Sequence, residues 1–310
     1  MVSPVSEDYP RTLGELARRF ATDEACAGYL ARIRWPTGFL CPRCQAAEAW
    51  RLGDGRWLCR QCRTQVSVKA GTIFADSHLP LTDWFRAMWQ VTSQKNGASA
   101  LGLQRVMGWG SYETAWTCLH KLRRAMVRPG RDRLRGVVEM DETYVGGEQP
   151  GKRGRGAAGK SVVVMAAEVK APRGIGRIRL LRVPSTGATA LTPAAVALVE
   201  PGSVIRTDDW NGYVGLAGAH YQREIVGPEA AGGENRLPCC HRVASWLKRW
   251  LLGTHQGAVR AKQLDYYLDE FTFRFNRRTS RSRGKLFYRL AEQAVQVEPH
   301  PYAQIVRPKP

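Results

Sequence analysis

Asp141, Asp208, His241 and Lys248 are the residues of this 310-residue chain whose types and spacing best combine into chemistry, and four cysteines form a second group. Asp141 sits in Val137-Val-Glu-Met-Asp-Glu-Thr-Tyr-Val-Gly-Gly147, an apolar, β-branched run that closes on Gly-Gly and leads into the basic loop Gly151-Lys-Arg-Gly-Arg-Gly156. The run reads as a buried central strand. A carboxylate projecting from a buried strand is costly unless a cation neutralises it. The alternative, that Asp141 or Glu142 lies on the exposed face of an edge strand, stays open on this stretch alone. Asp208 follows a second apolar run, Ser203-Val-Ile-Arg-Thr207. If the two strands are neighbours, both carboxylates converge on one site, and oxygen-rich sites select Mg2+ or Mn2+. Two such ions ~3.5–4 Å apart can clamp the attacking and leaving oxygens of a phosphoryl displacement. His241 and Lys248 lie on one helical stretch. At about 100° per residue, seven residues bring them to within ~20° of each other. That face can offer a metal ligand and a phosphate-binding cation together, or it can be a solvated helix face.

The cysteines make a sharper pattern. Cys41-Pro-Arg-Cys44 and Cys59-Arg-Gln-Cys62 are two CxxC pairs with 14 residues between them. The intervening segment reads as a hairpin turning at Gly53-Asp54-Gly55. Two such knuckles on a hairpin suit tetrahedral Zn(Cys)4. A unit of this size cannot build its own core, so the metal supplies the stability. Cys26, Cys118, Cys239 and Cys240 read as small buried apolar residues.

Charge names the partner class. Lys plus Arg number 47 against 27 acidic residues, a formal net charge of +20. That excess suits a polyanion, most simply nucleic acid. No basic amphipathic helix stands apart from a core pattern, so a membrane surface is the weaker reading. No apolar run reaches the ~20 residues of a bilayer span. The first residues lack a basic segment followed by an apolar one, so no secretion signal is expected and a cytoplasmic, nucleoid-associated protein is.

The elements that position these residues follow from periodicity. Residues 12–34 read as helical, with Thr22 as an N-cap, and Trp35-Pro36 ends them. After the cysteines, residues 81–91 are helical. Residues 99–107, a Gly108-Trp-Gly turn and residues 112–126 form a helix-turn-helix pattern, with Lys121, Arg123 and Arg124 as its DNA-facing basic end; a purely structural helical linker gives the same pattern and stays open. The second half reads as strands at 137–145, 161–169, 176–183, 203–207 and 220–226. The third alternates apolar and basic residues, so one of its faces is expected to be exposed. Helices are expected at 191–199 with Pro193 at its first position, 210–216, 241–252 capped by Gly253, and 264–275. This is a mixed α/β sheet. The expected division is N-terminal helices at 1–35, a zinc ribbon at 36–75, a helical DNA-binding segment at 76–130, a catalytic domain at 131–290 and a tail at 291–310.

With these elements in place the chain resembles a family: the DDE transposases of bacterial insertion sequences, in the ISXO-like group with an N-terminal zinc ribbon. Arg34-Trp-Pro-Thr-Gly-Phe-Leu-Cys-Pro-Arg-Cys44 resembles the start of the ribbon. Glu139-Met-Asp-Glu-Thr-Tyr-Val-Gly-Gly147 and Thr207-Asp-Asp-Trp-Asn-Gly-Tyr213 resemble the segments that carry the two catalytic aspartates. Leu247-Lys-Arg-Trp-Leu-Leu-Gly-Thr-His255 and Tyr267-Leu-Asp-Glu-Phe-Thr-Phe-Arg-Phe-Asn-Arg277 resemble the C-terminal signature.

The resemblance implies an RNase H-like catalytic domain in which Asp141 and Asp208 bind Mg2+ or Mn2+. Lys248 matches the basic residue seven positions past the third acidic position. That third position holds His241 rather than Glu. A neutral imidazole nitrogen can ligate these ions but adds no negative charge. An inactive copy, or substitution by Glu229 or Glu234, therefore stays open. The implied function is metal-dependent strand cleavage and strand transfer of an insertion sequence. The ribbon and helix-turn-helix would bind the terminal inverted repeats, and Lys152, Arg153, Arg155, Arg249, Arg277 and Arg278 would contact phosphates. The partner is double-stranded DNA, and pairing two ends implies a homo-oligomer. A DNA-binding protein with a degenerate nuclease domain, and a hydrolytic nuclease without strand transfer, are the competing readings.

Overall fold

The computed structural model describes residues 7–128, 130–146, 159–172, 174–227, 237–257 and 259–307. In chain order the elements are α1 (Leu13–Arg19), α2 (Asp23–Arg34), β1 (Ala49–Arg51), β2 (Trp57–Cys59), β3 (Gln65–Val66), α3 (Leu81–Ser93), α4 (Ala100–Met107) and α5 (Tyr112–Ala125). Then come β4 (Val137–Val145), β5 (Ser161–Lys170), β6 (Gly174–Val183), α6 (Ala188–Leu198), β7 (Val204–Thr207), a 3-10 stretch (Asn211–Ala219) and β8 (Gln222–Ile225). The chain closes with α7 (Pro238–His255), α8 (Leu264–Asn276), α9 (Arg283–Ala294) and α10 (Tyr302–Val306). Among the described residues no helix is long and apolar enough to cross a membrane.

The chain makes two compact units. The first joins residues up to 130 with residues from 279 onward. Its N-terminal helical stretch is broken in two. Thr12 caps α1 by accepting from the Glu15 N–H, and Thr22 caps α2 by accepting from the Ala25 N–H. Phe20, Tyr29, Phe85 and Phe287 form an aromatic centre, with ring centroids 4.7 Å apart for Phe20 and Phe85 and 5.4 Å for Phe85 and Phe287. Asp23 ties α2 to α3 by accepting from the Leu81 and Thr82 N–H groups, both at 3.0 Å, which satisfies donors that a helix start leaves open. α4 ends at Gly108 with φ +68, the left-handed residue a helix-turn-helix bend needs. β1, β2 and β3 form a small antiparallel sheet.

Phe287 belongs to α9, which lies across the boundary expected between catalytic domain and tail. Residues 283–294 are a core helix of the first unit, and α10 buries Ile305.

The second unit, residues 131–278, is a five-stranded mixed sheet in the order β6-β5-β4-β7-β8. β4 to β6 are antiparallel, and β4–β7 and β7–β8 are parallel. One face of the sheet packs on α6 through Val138, Met140, Leu191, Ala195 and Ile205. The other packs on α7 and α8 through Met165, Val243, Leu247, Leu268 and Phe271. β4 spans the residues its sequence predicts.

Three predictions in this unit differ from the structure. α6 starts at Ala188 after Gly187, so Pro193 stands inside the helix. α7 runs past Gly253 to end at Gln256, whose φ is +50, and Pro238 opens it. On β6 the basic alternation does not make a solvent face throughout. Arg179 is buried and donates to the carbonyls of Asp132 at 2.6 Å and Ile178 at 3.0 Å.

Candidate active site and metal centre

The four cysteines come together as the spacing predicts. Cys41 Sγ lies 3.6 Å from Cys62 Sγ, and Cys44 Sγ lies 3.5 Å from Cys59 Sγ. Four thiolates ~2.3 Å from one Zn2+ stand ~3.8 Å apart, and a disulfide needs ~2.0 Å, so the spacing fits Zn(Cys)4 and excludes disulfides. All four sulfurs lie within 4.8 Å of one another; among the described residues no other group of three or more metal-ligating side chains closes this tightly. The knuckles are built alike. The Gln45 N–H donates to the Cys41 carbonyl and the Arg63 N–H to the Cys59 carbonyl. The hydroxyl and amide of Thr64 lower the Cys62 thiol to about 6, while at Cys44 the lowering by the Ala46 amide is outweighed by burial and hydrogen bonds to the other three cysteines, which raise that thiol to about 12.

The carboxylate site is built on β4. Side chains alternate along a strand, so Glu139 and Asp141 share the face toward α7 while Val138, Met140 and Glu142 take the other. Partners in the β4–β7 ladder differ by 67 in number, as Val137 and Val204 do, and so do Asp141 and Asp208. The ladder thus sets Asp208, the residue after β7, level with Asp141. Asp208 Oδ1 accepts from the Trp210 N–H at 3.2 Å, and the Arg223 guanidinium donates to the Asp208 carbonyl at 2.9 Å.

His241 comes in from the first turn of α7, its Nε2 3.4 Å from Asp141 Oδ2. What brings it there is Glu139, which the sequence did not mark. Its carboxylate is buried and accepts from the backbone N–H of Cys239 at 2.7 Å and of Cys240 at 3.0 Å. An anion at a helix N-terminus satisfies open donors and meets the positive end of the helix dipole. The only sequence signal was its position two residues before Asp141 on the same strand face.

Burial raises the Asp141 carboxyl, and the Glu142 and Asp208 carboxylates raise it further. His241 and the Glu142 N–H pull the other way, and the net is a group pushed up to about 6. On the opposite face the buried Tyr213 hydroxyl donates to Glu142 at 2.9 Å and holds it away from the site. Lys248 and Arg249 lie exposed further along α7, whose buried side is Val243, Leu247 and Leu251.

Other expected DNA contacts fare differently. Lys121 and Arg123 are buried, because the second half of α5 is a core helix; Lys121 donates to the Ala75 carbonyl at 3.0 Å and burial lowers its pKa. Only Arg124 of that trio is exposed. Arg278 spends its donors on the carbonyls of Ile175, Gly176 and Phe275, clamping β6, and Arg277 lies 3.9 Å above the Phe273 ring. Lys152, Arg153, Arg155, Glu229 and Glu234 fall outside the described residues.

Residues 133–276 match the ISXO2-like transposase domain, and residues 21–65 match the transposase zinc-ribbon domain. The chain thus carries an ISXO2-like transposase domain and, ahead of it, a transposase zinc ribbon. A relative, described as an uncharacterized protein in transposable element ISH50 of Halobacterium salinarum, is 28% identical over 289 residues, covering 86% of this chain and 95% of its own. The ribbon match contains all four cysteines, which makes zinc its structural metal. The domain match contains Asp141, Asp208, His241 and Lys248.

Proposed function

We propose that this chain is a transposase that cuts DNA at the ends of its element and joins the freed 3′ ends to target DNA, with Asp141, Asp208 and His241 as the metal-binding set. The observation that carries the reading is the His241–Asp141 contact, made on a sheet ladder that sets Asp208 level with Asp141. The donors suit a hard divalent cation: two carboxylates and an imidazole. Burial, with the Glu142 and Asp208 carboxylates adding to it, pushes the Asp141 carboxyl up to about 6, and a bound cation offsets both. A bound Mg2+ or Mn2+ would supply Lewis-acid stabilisation of charge on the phosphodiester oxygens.

The chain's own residues do the positioning. β4 fixes Asp141 in the middle of a paired sheet, Glu139 fixes the start of α7, and α7 fixes His241. Lys248 stands ~10 Å further along the helix axis, where it meets a neighbouring phosphate of the strand. Arg249, Arg124 and Arg277 add phosphate contacts. The ribbon and the α4–α5 pair bind the terminal inverted repeats, and two protomers bring two ends together.

The test is incubation of the whole protein with Mg2+ or Mn2+ and linear DNA carrying the repeats that flank its gene. Joined products are expected. Cut-only products would show a hydrolytic nuclease, and binding alone a regulator. Asp141→Asn should abolish cutting and joining; unchanged joining by that variant sinks the metal-site assignment. His241→Glu restores a third carboxylate and should at least preserve activity.

A further inference from the structure

The ribbon carries a feature that zinc binding does not explain. Trp50 is 44% exposed on β1, and two guanidiniums flank its ring: Arg60 Cζ at 4.9 Å and Arg63 Cζ at 5.1 Å from the centroid. Arg60 is also paired with Glu48 at 3.0 Å. Among the described residues no carboxylate lies within 4.0 Å of Arg63.

Arg63 stands at φ +58, and Gln45, its counterpart in the first knuckle, at φ +61. Both knuckles thus place the residue after their second cysteine in left-handed backbone, a region where glycine is at ease and an L side chain is disfavoured. Gln45 and Arg63 are both exposed, so neither side chain compensates by filling a core.

We propose that Trp50, Arg60 and Arg63 form a phosphate-contacting surface for duplex DNA. The indole holds the two guanidiniums in place, so less freedom is lost when they bind. Guanidinium donors match phosphate oxygens in a planar fork. The partner class follows from the uncompensated Arg63 charge and the net charge of +20, and the inference rests on the reading of this chain as a DNA transposase. The left-handed position is where a guanidinium clears the knuckle and reaches the ring face. An arginine there serves binding at the expense of local backbone comfort.

The experiment compares Arg63→Gly and Gln45→Gly in the full-length, zinc-loaded protein. Both glycines fit the backbone, so both variants should keep one zinc per chain and melt at or above the wild-type temperature. Binding is read by fluorescence anisotropy on a duplex carrying the terminal repeat and on an unrelated duplex of equal length, across a salt series. Arg63→Gly should weaken both about tenfold and lower the slope of log affinity against log salt by about one. Gln45→Gly should leave affinity and slope unchanged. Trp50→Ala, with both arginines kept, should fall between them.

Equal affinity and slope for Arg63→Gly and wild type overturns the inference, as does a matching loss in Gln45→Gly. Strand joining by the wild-type protein is measured alongside. If the wild type joins ends and Arg63→Gly binds normally, the surface assignment fails alone. If the wild type joins nothing, the transposase reading fails, and the two glycine variants still decide the surface on the unrelated duplex.

Discussion

Asp141 shows how a single residue couples charge to stability. Its carboxyl is pushed up to about 6 from an ordinary value near 3.8, so the folded protein holds that proton more tightly than the unfolded chain does. The folded state is therefore favoured below pH 4, and this contribution is lost as pH rises toward 6. That loss, up to about 3 kcal/mol in metal-free protein, is the penalty for holding the carboxylate ionised in this site. Asp141→Asn removes the penalty. The variant should melt higher than wild type at pH 8 without Mg2+ or Mn2+, with the difference shrinking toward pH 4.5 and on adding Mn2+. Thermal melts of both proteins across pH check it, and because the zinc site is common to both, its own acid loss cancels in the difference. A constant gap at all pH values would mean that Asp141 titrates normally.

At the scale of elements, α7 is held by its first turn. Glu139→Gln keeps one acceptor but removes the charge, and Glu139→Ala leaves two buried N–H groups open. Removing a charged acceptor from buried donors costs about 3 kcal/mol, so the alanine variant should lose that much in urea unfolding and the glutamine variant about half. Because His241 rides on the same turn, both variants should also lose Mn2+ affinity, and Glu139→Asp should recover part of it. Stability loss with unchanged Mn2+ affinity would make Glu139 a structural residue only.

The same helix shows what sequence could and could not convey. β4 was legible because β-branched residues and a Gly-Gly stop mark a buried strand. Both knuckles were legible because zinc imposes spacing. The end of α7 was not, since Gly253 is tolerated inside a helix whose apolar side is buried, and the true stop is a left-handed Gln256. Nor was the role of Glu139, whose hydrogen-bond partners are 100 and 101 residues away. Lys121 and Arg123 read as a DNA-facing end because helical periodicity cannot tell a solvated basic turn from a buried one.

At the scale of the molecule, the two units differ in how the chain builds them. Residues 131–278 form one continuous unit with its own sheet and core. Expressed alone, this segment should unfold cooperatively. Residues 1–130 alone lack α9, with Phe287, Leu286 and Leu290 all buried in the intact first unit. They should be partly unfolded even with zinc, and Phe287→Ala in the full chain should cost the first unit about 3–5 kcal/mol. Circular dichroism and urea titration of the two segments and the variant check this. A cooperative, full-amplitude transition for residues 1–130 would mean that α9 is dispensable.

The return of α9 to the first unit also sets a clock on synthesis. Roughly 160 residues separate position 130 from the end of α9, which takes roughly 8–30 s to translate at ~5–20 residues per second. Until then the nascent ribbon and its helical neighbours wait for a core helix, while residues 131–278 can already close. A prematurely terminated product can thus carry a folded second unit without a completed first one, and under the proposed function only a finished chain would be competent to find element ends. Limited proteolysis of ribosome-stalled chains arrested after residue 278 and after residue 300 should show the N-terminal helices protected only in the longer one.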